Sequence, residues 1–157
     1  MKKIGLALGG GGARGLCHIK FIEALDELEL KPSIIAGTSI GAIIGAFYAS
    51  GLSGVQMENM LYEIDFKDLF KMMDFSFLSR SSLIKGRGVE NFLKQNIPVS
   101  TFEELNIPLK IVATDFWRED DVVFDSGKLI PAIRASISIP AIFEPVILDD
   151  KVLIDGG

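Results

Sequence analysis

The pentapeptide Gly37-Thr38-Ser39-Ile40-Gly41 lies between a short apolar run, Ser33-Ile34-Ile35-Ala36, and a small-residue segment, Ala42-Ile43-Ile44-Gly45-Ala46. The run reads as a buried strand and the segment as a helix, so the chain must turn sharply from one to the other with Ser39 at the apex. Such a turn strains the serine backbone and brings its neighbours close, which favours residues without a Cβ on either side. Gly37 and Gly41 stand at those two places, completing the GxSxG pattern of a nucleophile elbow. The same residues also suit an ordinary strand-to-helix turn with Ser39 as an N-cap.

Around this turn the chain alternates strand and helix. Lys3 to Leu8 reads as a buried strand, followed by a glycine loop and a helix from about Arg14 to Leu30, with Leu16, Ile19, Ile22, Leu25 and Leu28 at helical spacing and Pro32 helping to stop it. The helix after the elbow ends near Gly51. Val55 to Ile64 reads as helix, Phe66 to Leu78 as irregular and rich in Phe and Met, and Val89 to Asn96 as a short helix. Leu109 to Thr114 and Asp121 to Asp125 read as strands, Leu129 to Ala135 as a helical turn, and Val146 to Leu148 with Lys151 to Ile154 as a hairpin across Asp149-Asp150. This order predicts an α/β protein: a three-layer α/β/α arrangement with a central, mostly parallel sheet covered on both faces.

Composition narrows the function classes. The chain has 157 residues, 48% of them hydrophobic, which suits one domain with a well-buried sheet and excludes disorder. A net charge of -5 argues against nucleic acid as a partner. One cysteine, Cys17, and one histidine, His18, exclude an internal disulfide and the usual zinc sites, so no metal is expected. The apolar stretch Ile4 to Leu8 is too short for a signal peptide, and a cytoplasmic protein is expected. Pro32 to Met57 carries no charge, but its glycines, serines and proline fit a buried strand, turn and helix better than a membrane span.

A second site lies directly after the first strand, at Gly9-Gly10-Gly11-Gly12-Ala13-Arg14-Gly15. Consecutive glycines leave backbone N–H groups unshielded at a helix N-terminus, where the dipole favours negative charge. Gly10-x-Gly12-x-x-Gly15 matches the dinucleotide fingerprint, yet the next strand ends Ile35-Ala36-Gly37 without the acid a ribose requires. No Gly-Lys-Ser/Thr closes the run, so a Walker-type loop fails too. Beside the elbow, Gly10, Gly11 and Gly12 are candidates for an oxyanion hole, with the N–H of Ile40 as a further donor.

A nucleophilic serine needs a base. His18 lies upstream in a helix whose apolar face carries Leu16, Ile19 and Ile22, and reads as a structural residue at the core edge. The remaining candidate is a carboxylate acting directly on the serine. Asp155 stands out because the apolar strand Val152-Leu153-Ile154 delivers it to Gly156-Gly157. An unperturbed Asp has a pKa of about 3.9, so service as a base near neutrality requires desolvation. Asp-Gly-Gly alone is equally a hairpin turn.

Taken in order, GGGGARG at 9–15, GTSIG at 37–41 and DGG at 155–157 resemble the patatin-like phospholipases, hydrolases that use a Ser-Asp dyad. The stretch Arg134-Ala135-Ser136-Ile137-Ser138-Ile139-Pro140 with Phe143 and Pro145, and the strand Ile111-Val112-Ala113-Thr114-Asp115, are similar to the same family, so the resemblance covers nearly the whole chain. It implies Ser39 as nucleophile, Asp155 as base and Gly10 to Gly12 as oxyanion hole, with Arg14 helping to fix the loop and Gly15, Gly37, Gly41, Gly156 and Gly157 as motif support. It further implies hydrolysis of lipid acyl esters through an acyl-enzyme, without cofactor. The alternative expectation is a non-catalytic module that uses the same loop to hold an acidic ligand or lipid.

Family members of this type usually continue past the DGG motif. With 1–157 read as one domain truncated there, Asp155 is expected near a fraying end, and an open core face is expected to favour self-association. The apolar stripe Phe66, Leu69, Phe70, Met72, Met73, Phe75, Phe77 and Leu78 suits either a lid packed on the core or transient contact with a membrane surface.

Overall fold

Leu109, Ile111 and Ala113 alternate with Lys110, Val112 and Thr114, and this period of two makes one face of a strand apolar. In the computed structural model, which describes residues 3–63 and 86–157, this segment is the central strand β3 (Leu109–Asp115), with every second residue buried. β2 (Ile34–Thr38) pairs parallel with β3, and β1 (Gly5–Leu8) pairs parallel with β2. β4 (Asp120–Phe124) pairs antiparallel with the other edge of β3. The hairpin of β5 (Val146–Leu148) and β6 (Lys151–Asp155) joins through β6, antiparallel to β3. Among the described residues four of six strands, β1, β2, β3 and β5, therefore point the same way, as the predicted mostly parallel sheet requires.

The register decides where the site forms. β2 uses Leu109 to Val112 of β3, while β6 uses Ala113 to Asp115. Because β4 occupies the opposite edge over Ile111 to Asp115, β2 and β6 must share one edge, end to end. They run in opposite directions, so their C-terminal ends meet at the Val112–Ala113 peptide. The residue after Thr38 and the last residue of β6 are thus brought together by backbone pairing alone.

Five helices among the described residues complete the domain: α1 (Cys17–Glu27), α2 (Ile40–Ala49), α3 (Gly54–Glu63), α4 (Arg87–Asn96) and α5 (Leu129–Ser136). α2 is buried on nearly all sides, and its small residues Gly41, Ala42, Gly45 and Ala46 let the sheet approach its backbone. α2 and α5 pack against the sheet and against each other. The core between them centres on Ile22, Ile35, Ile111, Leu129 and Ile133, all fully buried. The opposite sheet face, carrying Ala7, Ile34, Lys110, Val123 and Ile147, is open among the described residues.

The predicted first helix divides in two. A 3-10 turn spans Gly12–Leu16, and the α-helix stops at Glu27, before Pro32 can act. Glu29 takes a left-handed conformation (φ 53°), so that Leu30 N–H reaches the Leu25 carbonyl and Glu29 N–H that of Asp26. This Schellman closure satisfies the last carbonyls and ends the helix short of the predicted Leu30. The Asp149-Asp150 turn of the hairpin has both residues at positive φ, as a two-residue type I′ connection demands. No helix among the described residues is long and apolar enough to cross a membrane. The stripe from Phe66 to Leu78, with its expected membrane contact, lies outside the described residues.

Candidate active site

Ser39 follows β2 directly and precedes the first residue of α2, with φ 53° and ψ -126°. This conformation is disfavoured for any residue with a Cβ. The turn holds because its surroundings exclude a wider one: a Cβ on Gly41 would overlap the Leu8 carbonyl, and one on Gly37 would lie 2.5 Å from the Gly41 oxygen. Ser39 Oγ donates a hydrogen bond of 2.7 Å to Asp155 Oδ2. Ser39 is only 7% exposed.

Asp155 is held on three sides rather than fraying. It pairs with Ala113 in the β3–β6 ladder, its N–H donates to the Ser138 carbonyl (2.9 Å), and its Oδ1 accepts the Gly157 N–H (2.8 Å). Gly156 makes this close fit possible, since a Cβ there would collide with the Val112 carbonyl and Thr38 Oγ1. Burial raises the Asp155 pKa above the ordinary carboxylate value, with the hydrogen bonds from Ser39 and Gly157 pulling the other way. Desolvation thus moves this acid in the direction a general base requires.

The glycine loop passes over the elbow. A Cβ on Gly10 would stand 3.4 Å from Ser39 Cβ, and Gly15 sits so close to Ile40 that a side chain would overlap it. Gly11 and Gly12 have positive φ (132° and 55°), which bends the loop around the serine. Among the described residues no acceptor takes the N–H of Gly10 or Gly11, and the N–H of Ile40 is free at the start of α2. An apolar cleft opens beside Ser39, lined by Leu16, Ile43, Phe47, Met57, Phe92 and Phe143 among others.

A family model for patatin-like phospholipase matches residues 6–157. The chain belongs to the patatin-like phospholipase family. An uncharacterised NTE family protein of Mycobacterium tuberculosis is 34% identical over 155 residues, covering 99% of this chain and 42% of the relative. A lysophospholipase of Kluyveromyces lactis is 30% identical over 156 residues, covering 98% of this chain and 11% of the relative. The chain spans less than half the length of these relatives. Among solved structures, VipD from Legionella pneumophila superposes on all of this chain and 46% of its own, with a TM-score of 0.71 at 15% identity. The type III effector ExoU superposes on 90% of this chain and 41% of its own, with a TM-score of 0.61 at 18% identity. At these identities the two structures speak to the fold alone.

Within this patatin-like domain the glycine loop, the elbow and Asp155 lie together. The Arg14 backbone N–H closes the loop onto the Gly11 carbonyl (3.1 Å), while its side chain is exposed and has no partner among the described residues. The imidazole of His18 also ties to the loop, donating from Nε2 to the Gly9 carbonyl at 3.0 Å. A carbonyl can only accept, so it is Nε2 that carries the hydrogen in this bond. Two further groups escaped the sequence reading. Ser136 Oγ accepts the Ser39 N–H at 2.9 Å, and the buried Arg134 donates to Ser138 Oγ (2.8 Å) and the Glu144 carbonyl (3.1 Å) while lying over the Phe143 ring. The motif Arg134 to Pro140 was the signal for both, but its spacing does not reveal what it touches.

Proposed function

We propose that the chain is a serine acyl hydrolase acting on lipid acyl esters, with Ser39 as nucleophile and Asp155 as general base. The observation that carries this reading is the 2.7 Å hydrogen bond from Ser39 Oγ to Asp155 Oδ2, made by a serine in a strained elbow. Asp155 takes the Ser39 proton as Oγ attacks the ester carbonyl, and returns it to the departing alcohol. The acyl group stays on Ser39 until a water, deprotonated by the same carboxylate, releases it as a fatty acid and restores the serine. The N–H groups of Gly10, Gly11, Gly12 and Ile40 are the donors for the negative oxygen formed in each half-reaction. The apolar cleft beside Ser39 suits an acyl chain. The naming of one relative as a lysophospholipase supports the same substrate class.

Labelling with a fluorophosphonate probe and hydrolysis of a p-nitrophenyl acyl ester test the assignment together. Wild-type chain is expected to label at Ser39 and to turn over the ester, and Ser39→Ala to do neither. A folded Ser39→Ala variant as active as wild type refutes the reading.

A further inference from the structure

The dyad is built from two strand ends that have no peptide linkage near the site, and the register alone leaves a gap at the Val112–Ala113 peptide where β2 stops pairing and β6 begins. The C-terminal end of α5 spans this gap. Ser136 Oγ donates to the Val112 carbonyl at 2.6 Å and accepts the Ser39 N–H at 2.9 Å, while two residues on, the Ser138 carbonyl accepts the Asp155 N–H at 2.9 Å. One three-residue segment therefore holds the backbone amide of both dyad members. Its own position is fixed by Arg134, whose guanidinium bonds Ser138 Oγ, and by Ser138 Oγ donating back to the Arg134 carbonyl at 2.8 Å. Ser136 and Ser138 are both fully buried, so no solvent competes for these bonds.

We infer that Ser136 is a positioning residue, whose hydroxyl clamps the Ser39 peptide to the β2–β6 junction and thereby holds Ser39 Oγ on Asp155. The inference rests on the reading of Ser39 as nucleophile. Two features make the hydroxyl specific for this task. It acts as donor and acceptor at once, which an alanine cannot imitate and which a buried apolar side chain would answer by leaving the Ser39 N–H unsatisfied. It also reaches Ser39 across 97 residues of sequence, at the one residue of the elbow whose backbone conformation is unfavourable on its own.

The test compares Ser136→Ala, Ser136→Cys and, as a control, Ser50→Ala in the 157-residue chain. Ser50 is also a buried hydroxyl, donating to the Phe47 carbonyl at 2.8 Å, but it stands at the far end of α2 from Ser39. With a p-nitrophenyl acyl ester, Ser136→Ala is expected to lose about 30-fold in kcat with KM changed by less than about twofold, because the substrate pocket is untouched. Ser136→Cys retains a weak donor and acceptor at the same place and is expected to lose about 3- to 10-fold. Ser50→Ala is expected to lower the melting temperature while keeping kcat within about twofold. Should Ser136→Ala not fold, the kcat of Ser136→Cys decides in its place. A folded Ser136→Ala or Ser136→Cys with wild-type kcat, a loss carried by KM, or an equal kcat loss in Ser50→Ala overturns the inference. Failure of the fluorophosphonate to label wild-type Ser39 removes the nucleophile reading and the inference with it. A labelled wild type beside a fully active Ser136→Ala removes the inference alone.

Discussion

The backbone of Ser39 offers a measurement that separates geometry from chemistry. With φ 53° and ψ -126° a side chain of any kind is strained there, by about 1–3 kcal/mol, whereas glycine adopts such angles freely. Ser39→Ala and Ser39→Gly both remove Oγ and its bond to Asp155, so comparing them cancels the hydroxyl and leaves only Cβ. At an ordinary site the glycine variant would be the less stable by about 0.4–1 kcal/mol, because its unfolded chain is freer. Taking about 2 kcal/mol of strain relief against about 0.7 kcal/mol of entropy leaves glycine ahead by about 1.3 kcal/mol. For a domain of this size that is about 3–5 °C in melting temperature. Thermal unfolding of the two variants, followed by circular dichroism, reads it directly. If Ser39→Ala melts at the same temperature as Ser39→Gly or above it, the elbow is not strained and the argument that Gly37 and Gly41 serve to enforce the turn loses its ground.

Asp155→Asn is expected to lower kcat by about 100-fold or more, the scale of a lost general base, in the ester assay. Its stability should move oppositely: since burial raises the Asp155 pKa, ionisation costs the folded state stability as pH rises from the ordinary carboxylate range through the raised value. Melting scans should therefore show Asp155→Asn at or above wild type at pH 8, the difference closing towards pH 3; an advantage that grows on acidification would reverse the sign. For the same reason the kcat of wild type should rise with pH through a midpoint above about 3.9, and a midpoint at or below that value would contradict the desolvated base. Gly41→Ala drives a Cβ into the Leu8 carbonyl, rigid backbone that has no rotamer to change, and is expected to cost about 3 kcal/mol, checked by urea unfolding. Ile43→Trp narrows the apolar cleft beside Ser39 and should reduce kcat/KM for long-chain esters more than for acetate esters; equal loss on both would separate the cleft from the acyl chain.

Much of the fold and the core of the site could be read from local pattern. Strict alternation in β3, the Asp149-Asp150 turn and the GxSxG punctuation each depend on residues near in sequence, and each appears where the pattern predicts. What stayed hidden depends on registers set far apart. That β6 would enter on the edge of β3 already used by β2 follows from pairing over the whole sheet, so Asp155 could be named as a candidate base without a physical account of how it reaches Ser39. The Ser136 clamp is silent for the same reason, since a serine at the end of a helix looks like any other cap until its partner strand is in place. His18 reaches the loop because it is the second residue of α1, where the imidazole faces back to Gly9, while the turn Gly12–Leu16 leaves the Arg14 side chain outward.

The meeting of β2 and β6 nose to nose on β3 also orders events in time. Ser39 leaves the ribosome 116 residues before Asp155 does, and until the β5–β6 hairpin zips into the sheet the Ser39 hydroxyl lacks this hydrogen-bond acceptor. On the proposed reading of Ser39 and Asp155, a nascent chain would carry a silent serine until β6 closes its antiparallel pairing with β3, so that correct assembly itself arms the molecule.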